Sequence, residues 1–294
     1  MKLIDYIVTV FVMVDDFCKI YYPPRKLRQR GPIPKLADSE AITMEIIGEY
    51  LGFDTDEGIY NYFSRHWNFL FPNMPNRSNF VRQCANLWSV KQHFFEHLSK
   101  PQDKYLQIVD SMPIEVCKFV RARISRQFKD TATYSKWFGQ TFFGYRLHFK
   151  INDVGMIRNF IVATAREADV TFAESLIAND CGGWVLGDRG YHSKPLQQAL
   201  WQQRRVYFHT SIRRNERKDS PLPIKTIRTL TGKRRLIETV AGQLEQRFRI
   251  KTTFARDLWH LLNRIIRKIL SHTICVWMNL GLNNDPLKLR LLIT

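Results

Sequence analysis

The sequence predicts an α/β fold, a mixed sheet flanked by helices, with an all-helical N-terminal domain in front of it. Three observations predict this. The first hundred residues carry apolar side chains at helical spacing between proline-containing links. From about Lys104 the chain changes to short runs of β-formers that alternate with helical segments. Two of the apolar runs end in an acid, at Asp110 and at Asp188, and open α/β sheets build their sites at the carboxyl ends of strands. The expected division is therefore 1–100, helical, and 101–294, a sheet domain with C-terminal helices.

The elements follow in chain order. Met1 to Tyr22 is apolar-rich and stops before Pro23 and Pro24, which cannot continue a helix. A basic link from Arg25 to Pro32 follows. Asp38 and Ser39 can cap a helix whose apolar face is Ile42, Ile46, Ile47 and Tyr50, with Gly52 as its stop. Helices are expected over 56–66 and, as one long element, over 78–98. Several short helices with basic links are compatible with a helix-turn-helix-type DNA-binding module and equally with a helical cap packed on the next domain. Then come a strand over 105–109, a pair over 142–152 and 156–165 joined by the turn at Asp153 to Gly155, and a helix over 171–178. A strand over 183–186, a helix over 194–203 and a strand over 206–210 complete the sheet. Residues 211–231 read as a basic loop, 233–248 as a long helix, and 259–280 as another.

Composition narrows the partner. Lys and Arg number 45 against 27 Asp and Glu, a net charge of +18 spread along the chain. Such a surface attracts phosphate backbones or anionic membranes. No stretch is long and charge-free enough to span a bilayer. Met1 to Val14 is apolar but lacks a signal-peptide cleavage pattern, so it reads as a core helix. The five cysteines are odd in number and form no CxxC pair, which argues against a zinc or disulfide framework and for a reducing cytoplasm.

Asp110, Asp188 and Glu238 are the chemical candidates. Glu238 lies on the expected helix 233–248, where Arg234, Glu238 and Glu245 share a face apart from the apolar side formed by Ile237, Val240, Leu244 and Phe248. Spacing alone leaves Glu238 and Glu245 open, and it also admits an ordinary i,i+4 pair of Arg234 with Glu238. Three gathered carboxylates can hold two Mg²⁺ ions, which prefer oxygen ligands, and such ions clamp both oxygens of an in-line phosphoryl displacement. Two basic clusters are candidates for DNA contact: Arg121, Arg123 and Arg126, with Lys129 and the interleaved aromatics Tyr134, Trp137 and Phe138; and Arg213, Arg214, Arg217 and Lys218. His192 can act near a phosphate or hydrogen-bond locally, and His148 reads as structural. Ser111 has no partner histidine at a readable spacing, which argues against a serine nucleophile.

The segments IVDSMP around Asp110, GDRGYH around Asp188, and RRLIET with EQRF after it around Glu238 resemble the three acid motifs of insertion-sequence DDE transposases. The likeness is closest to the insertion-sequence nine-eight-two group, which also carries an LxDSE-like segment, here Leu36 to Glu40. The resemblance implies an RNase H-like catalytic core and a metal triad of Asp110, Asp188 and Glu238 holding two Mg²⁺ or Mn²⁺ ions. It also implies double-stranded DNA partners, both transposon ends and target, and a homodimer or higher assembly on DNA. The setting it implies is a prokaryotic cytoplasm, at the nucleoid. It selects Glu238 over Glu245, and it assigns Arg234 to the arginine four residues before the glutamate. Two positions depart from the pattern: Glu245 stands where relatives carry a phosphate-contacting lysine, and Thr231 where some carry tyrosine. A related nuclease without strand transfer, and a catalytically decayed DNA-binding protein, are the alternative functions.

Overall fold

The computed structural model describes residues 1–22, 33–100, 106–124, 126–178, 180–210 and 224–293. They form two units, Met1–Leu98 with Leu244–Thr294, and Ser99–Gln243. The C-terminal segment thus packs with the N-terminal helices, where the sequence placed it with the sheet. The link at Arg25 to Arg30 and the cluster Arg213, Arg214, Arg217 and Lys218 lie outside the described residues.

The helical unit contains α1 (Leu3–Tyr21), α2 (Asp38–Leu51), α3 (Asp56–His66), α4 (Arg77–Asn86), α5 (Trp88–Leu98) and the long α11 (Leu258–Gly281). The Leu36 to Glu40 segment is a helix start. Glu40 reaches back to accept the Ala37 N–H at 2.7 Å, and Gln83 donates to the Leu36 carbonyl and to Asp38. The cap residue is Ala37, one position before the expected Asp38. Every residue of α2 from Ala41 to Tyr50 is buried, as expected of a helix surrounded by others. Its buried acids are paired. Lys91 of α5 donates to Glu45, and Asn263 of α11 donates to the same carboxylate at 3.1 Å. Arg267 bridges Glu49 and Asp56, and Lys268 reaches Glu49 at 2.6 Å. Burial would raise the Asp56 carboxyl, but Arg267 and Arg264 outweigh it and hold Asp56 well below the usual carboxylate range.

The sheet unit contains β1 (Leu106–Cys117), the short α6 (Phe119–Ala122), β2 (Thr133–Trp137), β3 (Gln140–Asn152), β4 (Ile157–Thr164), α7 (Asp169–Ile177), β5 (Trp184–Gly187), α8 (Lys194–Arg204), β6 (Tyr207–Thr210) and α9 (Ile224–Lys233). α10 (Arg235–Gln246) begins in this unit and ends in the helical one. The six strands form one mixed sheet in the order β2-β3-β1-β5-β6, with β4 also paired to β3. β1 to β4 pair antiparallel, whereas β1-β5 and β5-β6 are parallel. α7 and α8 cover the core of Val109, Val185, Val206 and Phe208 with Ala173, Leu176, Ile177 and Leu200. The α/β expectation, helices flanking a mixed sheet, matches this arrangement.

Four local readings change. β1 does not end at Val109 but continues to Cys117, so Asp110 lies inside a strand. Its pairing to β3 runs on past Asp110, while the parallel pairing to β5 stops at Ile108. Asp110 therefore still marks the carboxyl end of the parallel pair. The expected helix 78–98 is two, broken at Leu87. Residues 133–137, to which the sequence assigns no element, form β2. α9 occupies part of the stretch read as loop, and Arg234 separates it from α10.

Candidate active site

The register of the parallel pair places the first two acids side by side. Leu106 stands opposite Trp184, Gln107 opposite Val185 and Ile108 opposite Leu186. Continued by two residues, the same register sets Asp110 level with Asp188, and in-register residues of parallel strands point to the same side. Asp188 is exposed and extended, just beyond β5, and begins a single 3₁₀ turn over Arg189–Tyr191. Arg234, between α9 and α10, brings Nη2 to 3.4 Å from Asp188 Oδ1. Glu238 follows four residues later on α10 and is exposed. Arg234 immediately precedes this helix, and Glu238 lies in its first turn.

Asp110 is partly buried. Burial pushes its carboxyl up to about 6, with Asp188 and Asp169 adding to the rise; the Ser111 N–H, donated to Oδ1 at 2.8 Å, and Arg234 work the other way. Next to it lies a polar group whose Arg146 and Asp169 sequence reasoning missed, and whose His148 it read as structural. Asp169, the first residue of α7, accepts from Arg146 Nη1 at 2.7 Å and from Ser111 Oγ at 3.1 Å. His148 and the Tyr191 hydroxyl share a hydrogen bond of 3.0 Å. Burial pulls His148 down to about 4, keeping it neutral at physiological pH despite Asp169 nearby. A Cβ on Gly190 would come within 2.5 Å of Asp169 Oδ2, so glycine there lets the Asp188 turn close over α7. The only sequence signal for this group was the alternation of Arg146 and His148 along β3, which puts both on one face.

The remaining candidates sort as follows. His192 hydrogen-bonds Thr210 Oγ1 at 2.8 Å, the local role. Arg121, Arg123 and Arg126 are exposed. Glu245 pairs with Lys251 at 2.6 Å, so its reversed charge is locally neutralised. The side chain of Thr231 lies outside the described residues.

The all-oxygen donor set of the three acids suits a hard divalent cation. The contact of Arg234 with Asp188 shows that a positive group reaches this carboxylate, and the upward push of Asp188 on Asp110 is the repulsion a cation would relieve. The donor chemistry fits. The gathering is partial: among the described residues no group of three or more His, Cys, Asp or Glu side chains is arranged to hold a metal ion. The structure brings Asp110 and Asp188 together and leaves Glu238 in the first turn of α10, after Arg234.

No helix among the described residues is long and apolar enough to cross a membrane. No curated protein and no solved structure matches the chain at a significant level. The family model of the transposase DDE domain matches residues 100–258, which include both aspartates, Arg234 and Glu238 and make up more than half of the chain. The chain belongs to the transposase DDE domain family.

Proposed function

We propose that the protein is a DNA transposase of the insertion-sequence nine-eight-two group, with an RNase H-like catalytic core, that binds the terminal inverted repeats of its element and cuts and joins DNA there. The observation that carries this reading is the parallel register that sets Asp110 level with Asp188, with Arg234 bridging to the helix of Glu238. Membership of the family supports a DNA substrate, and the family generally uses divalent metal ions. Asp110, Asp188 and Glu238 would hold two Mg²⁺ or Mn²⁺ ions. When bound, such ions activate a water or a DNA 3′-hydroxyl and stabilise the leaving oxygen of the scissile phosphate.

The chain's own residues have separable tasks. The Ser111 N–H fixes the orientation of the Asp110 carboxylate, and Asp169 fixes Ser111 in turn. At neutral pH Asp110 lies above its value of about 6 and is ionised, as a ligand must be. Arg234 holds Asp188 and can move to a DNA phosphate when a cation takes its place. The exposed arginines Arg121, Arg123 and Arg126 supply phosphate contacts, with Arg213, Arg214, Arg217 and Lys218 as further candidates. A homodimer or larger assembly would bring two element ends together.

Strand transfer tests this reading. Duplexes carrying the inverted repeat that flanks the coding sequence, pre-cut to expose a 3′-hydroxyl, are incubated with supercoiled plasmid and Mg²⁺. Joined products support a transposase. Metal-dependent cutting without joining identifies a nuclease, and tight binding without either identifies a DNA-binding protein.

A further inference from the structure

The turn between β2 and β3 carries an aromatic side chain in an unusual setting. Trp137 pairs with Gln140 across a two-residue loop of Phe138 and Gly139. Both loop residues have positive φ, 46° and 81°, the signature of a tight hairpin turn that favours Asn and Gly. Phenylalanine gains nothing from that backbone, and its side chain is 92% exposed. The ring lies edge-on to Trp137, with centroids 5.3 Å apart. A rigid apolar ring is thus held out at the tip of a short strand pair.

The neighbouring segment, residues 118–136, is exposed, and apolar and cationic together. Val120 and Ile124 are 86% and 81% exposed, and Phe119 packs its edge on Tyr134 at 6.0 Å. Between Lys118 and Gly139 the sequence has six cations, Lys118, Arg121, Arg123, Arg126, Lys129 and Lys136, and one acid, Asp130. All six cations are exposed. A self-paired dimer through this face would set cation against cation across its axis, whereas a duplex offers phosphates to the cations and base steps to the ring.

The hairpin is also tied to the acids. The Arg146 guanidinium lies 5.6 Å from the centroid of the Trp137 ring and pairs with Asp169. Asp169 accepts from Ser111, the neighbour of Asp110. A ring on this hairpin is therefore fixed to the same framework that holds Asp110.

We propose that the β2–β3 hairpin is a DNA wedge, Phe138 entering a base step of the bound duplex while the exposed cations of the 118–136 segment hold the backbone. The proposal rests on the DNA-cutting reading above. Unstacking that step would kink the duplex and so change the course of the backbone that reaches the acids.

The test uses duplexes carrying the flanking inverted repeat, each with one adenine replaced by 2-aminopurine, whose emission rises when it loses its stacking neighbours. The full-length wild type should raise emission severalfold at one position near the end. Phe138→Gly removes the ring while suiting the turn better, so folding is preserved. It should lose that rise, with affinity changed by less than about tenfold, because the stacking lost is offset by unstacking no longer incurred. Its salt dependence should be unchanged, since the phosphate contacts remain. Phe138→Trp should restore the rise. Equal emission from wild type and Phe138→Gly overturns the wedge. Binding by the wild type with no rise at any position overturns it also, leaving the DNA reading intact. A DNA-free dimer that Phe138→Gly converts to monomer would identify the patch as a self-contact and overturn it. Failure of the wild type to bind any of the duplexes would sink the DNA reading and the wedge together.

Discussion

Replacing Asp110 by Asn should stabilise the metal-free protein while abolishing cleavage. The ordinary carboxylate value is 3.8, and burial holds Asp110 at about 6 in the fold. At roughly 1.4 kcal/mol per pH unit, that gap amounts to about 3 kcal/mol. Below pH 3.8 the group is protonated in both states and contributes nothing. As pH rises from there to about 6, the unfolded chain releases the proton first, so stability falls across this window. Above about 6 the full destabilisation remains. Asn keeps an oxygen for the Ser111 N–H and carries no charge to desolvate. In EDTA, Asp110→Asn should therefore melt with the wild type near pH 4 and above it near pH 7.5, by up to about 3 kcal/mol, or roughly 6–12 °C at this domain size. Thermal melts across pH 4 to 8 measure this directly. A constant offset at all pH values, or a wild type more stable at pH 7.5, would refute the claim that Asp110 is a destabilising buried carboxylate.

Adding Mn²⁺ or Mg²⁺ at pH 7.5 should raise the melting temperature of the wild type, by an amount corresponding to about 2.7 kcal/mol at a hundredfold excess over Kd. Asp110→Asn and Asp188→Asn should not respond, and an equal rise in all three would place the ions elsewhere. Asp169→Asn leaves the mostly buried Arg146 without its anion and should cost about 2–3 kcal/mol in urea unfolding; an unchanged midpoint would remove Asp169 from the supporting framework. In the helical unit, Lys91→Met strips the fully buried Glu45 of its lysine. Arg267 and Asn263 still face that carboxylate, so the expected loss is about 3 kcal/mol, and a neutral substitution would contradict the pairing.

What the sequence made legible was local. The β3–β4 pair was readable because β-formers flank Asp153 to Gly155, and Gly155 takes the positive φ such a turn needs. Asp110 and Asp188 were readable as candidates because each closes an apolar run. β1 was cut short because the apolar run ends at Asp110, and Pro113 lies within its continuation. The residue is tolerated since β5 no longer pairs with β1 at that point. β2 escaped because its strand is short and half-exposed among cations. The Asp169 group was out of reach for a different reason: Ser111, Arg146, Asp169 and Tyr191 are gathered only by strand pairing and helix docking, and no spacing announces it. The same holds for Glu45 and Glu49, whose i,i+4 spacing looks like an exposed helix face until Lys91, Arg267 and Lys268 arrive from distant segments.

Cleavage by the third acid's variant tests the central claim most directly. A duplex carrying the element's own end is incubated with Mg²⁺ or Mn²⁺ and either wild type or Glu238→Gln, with binding measured in parallel. The account predicts metal-dependent cutting by the wild type, and none by Glu238→Gln at undiminished affinity. Full cutting by Glu238→Gln would contradict it and remove Glu238 from the metal-binding set.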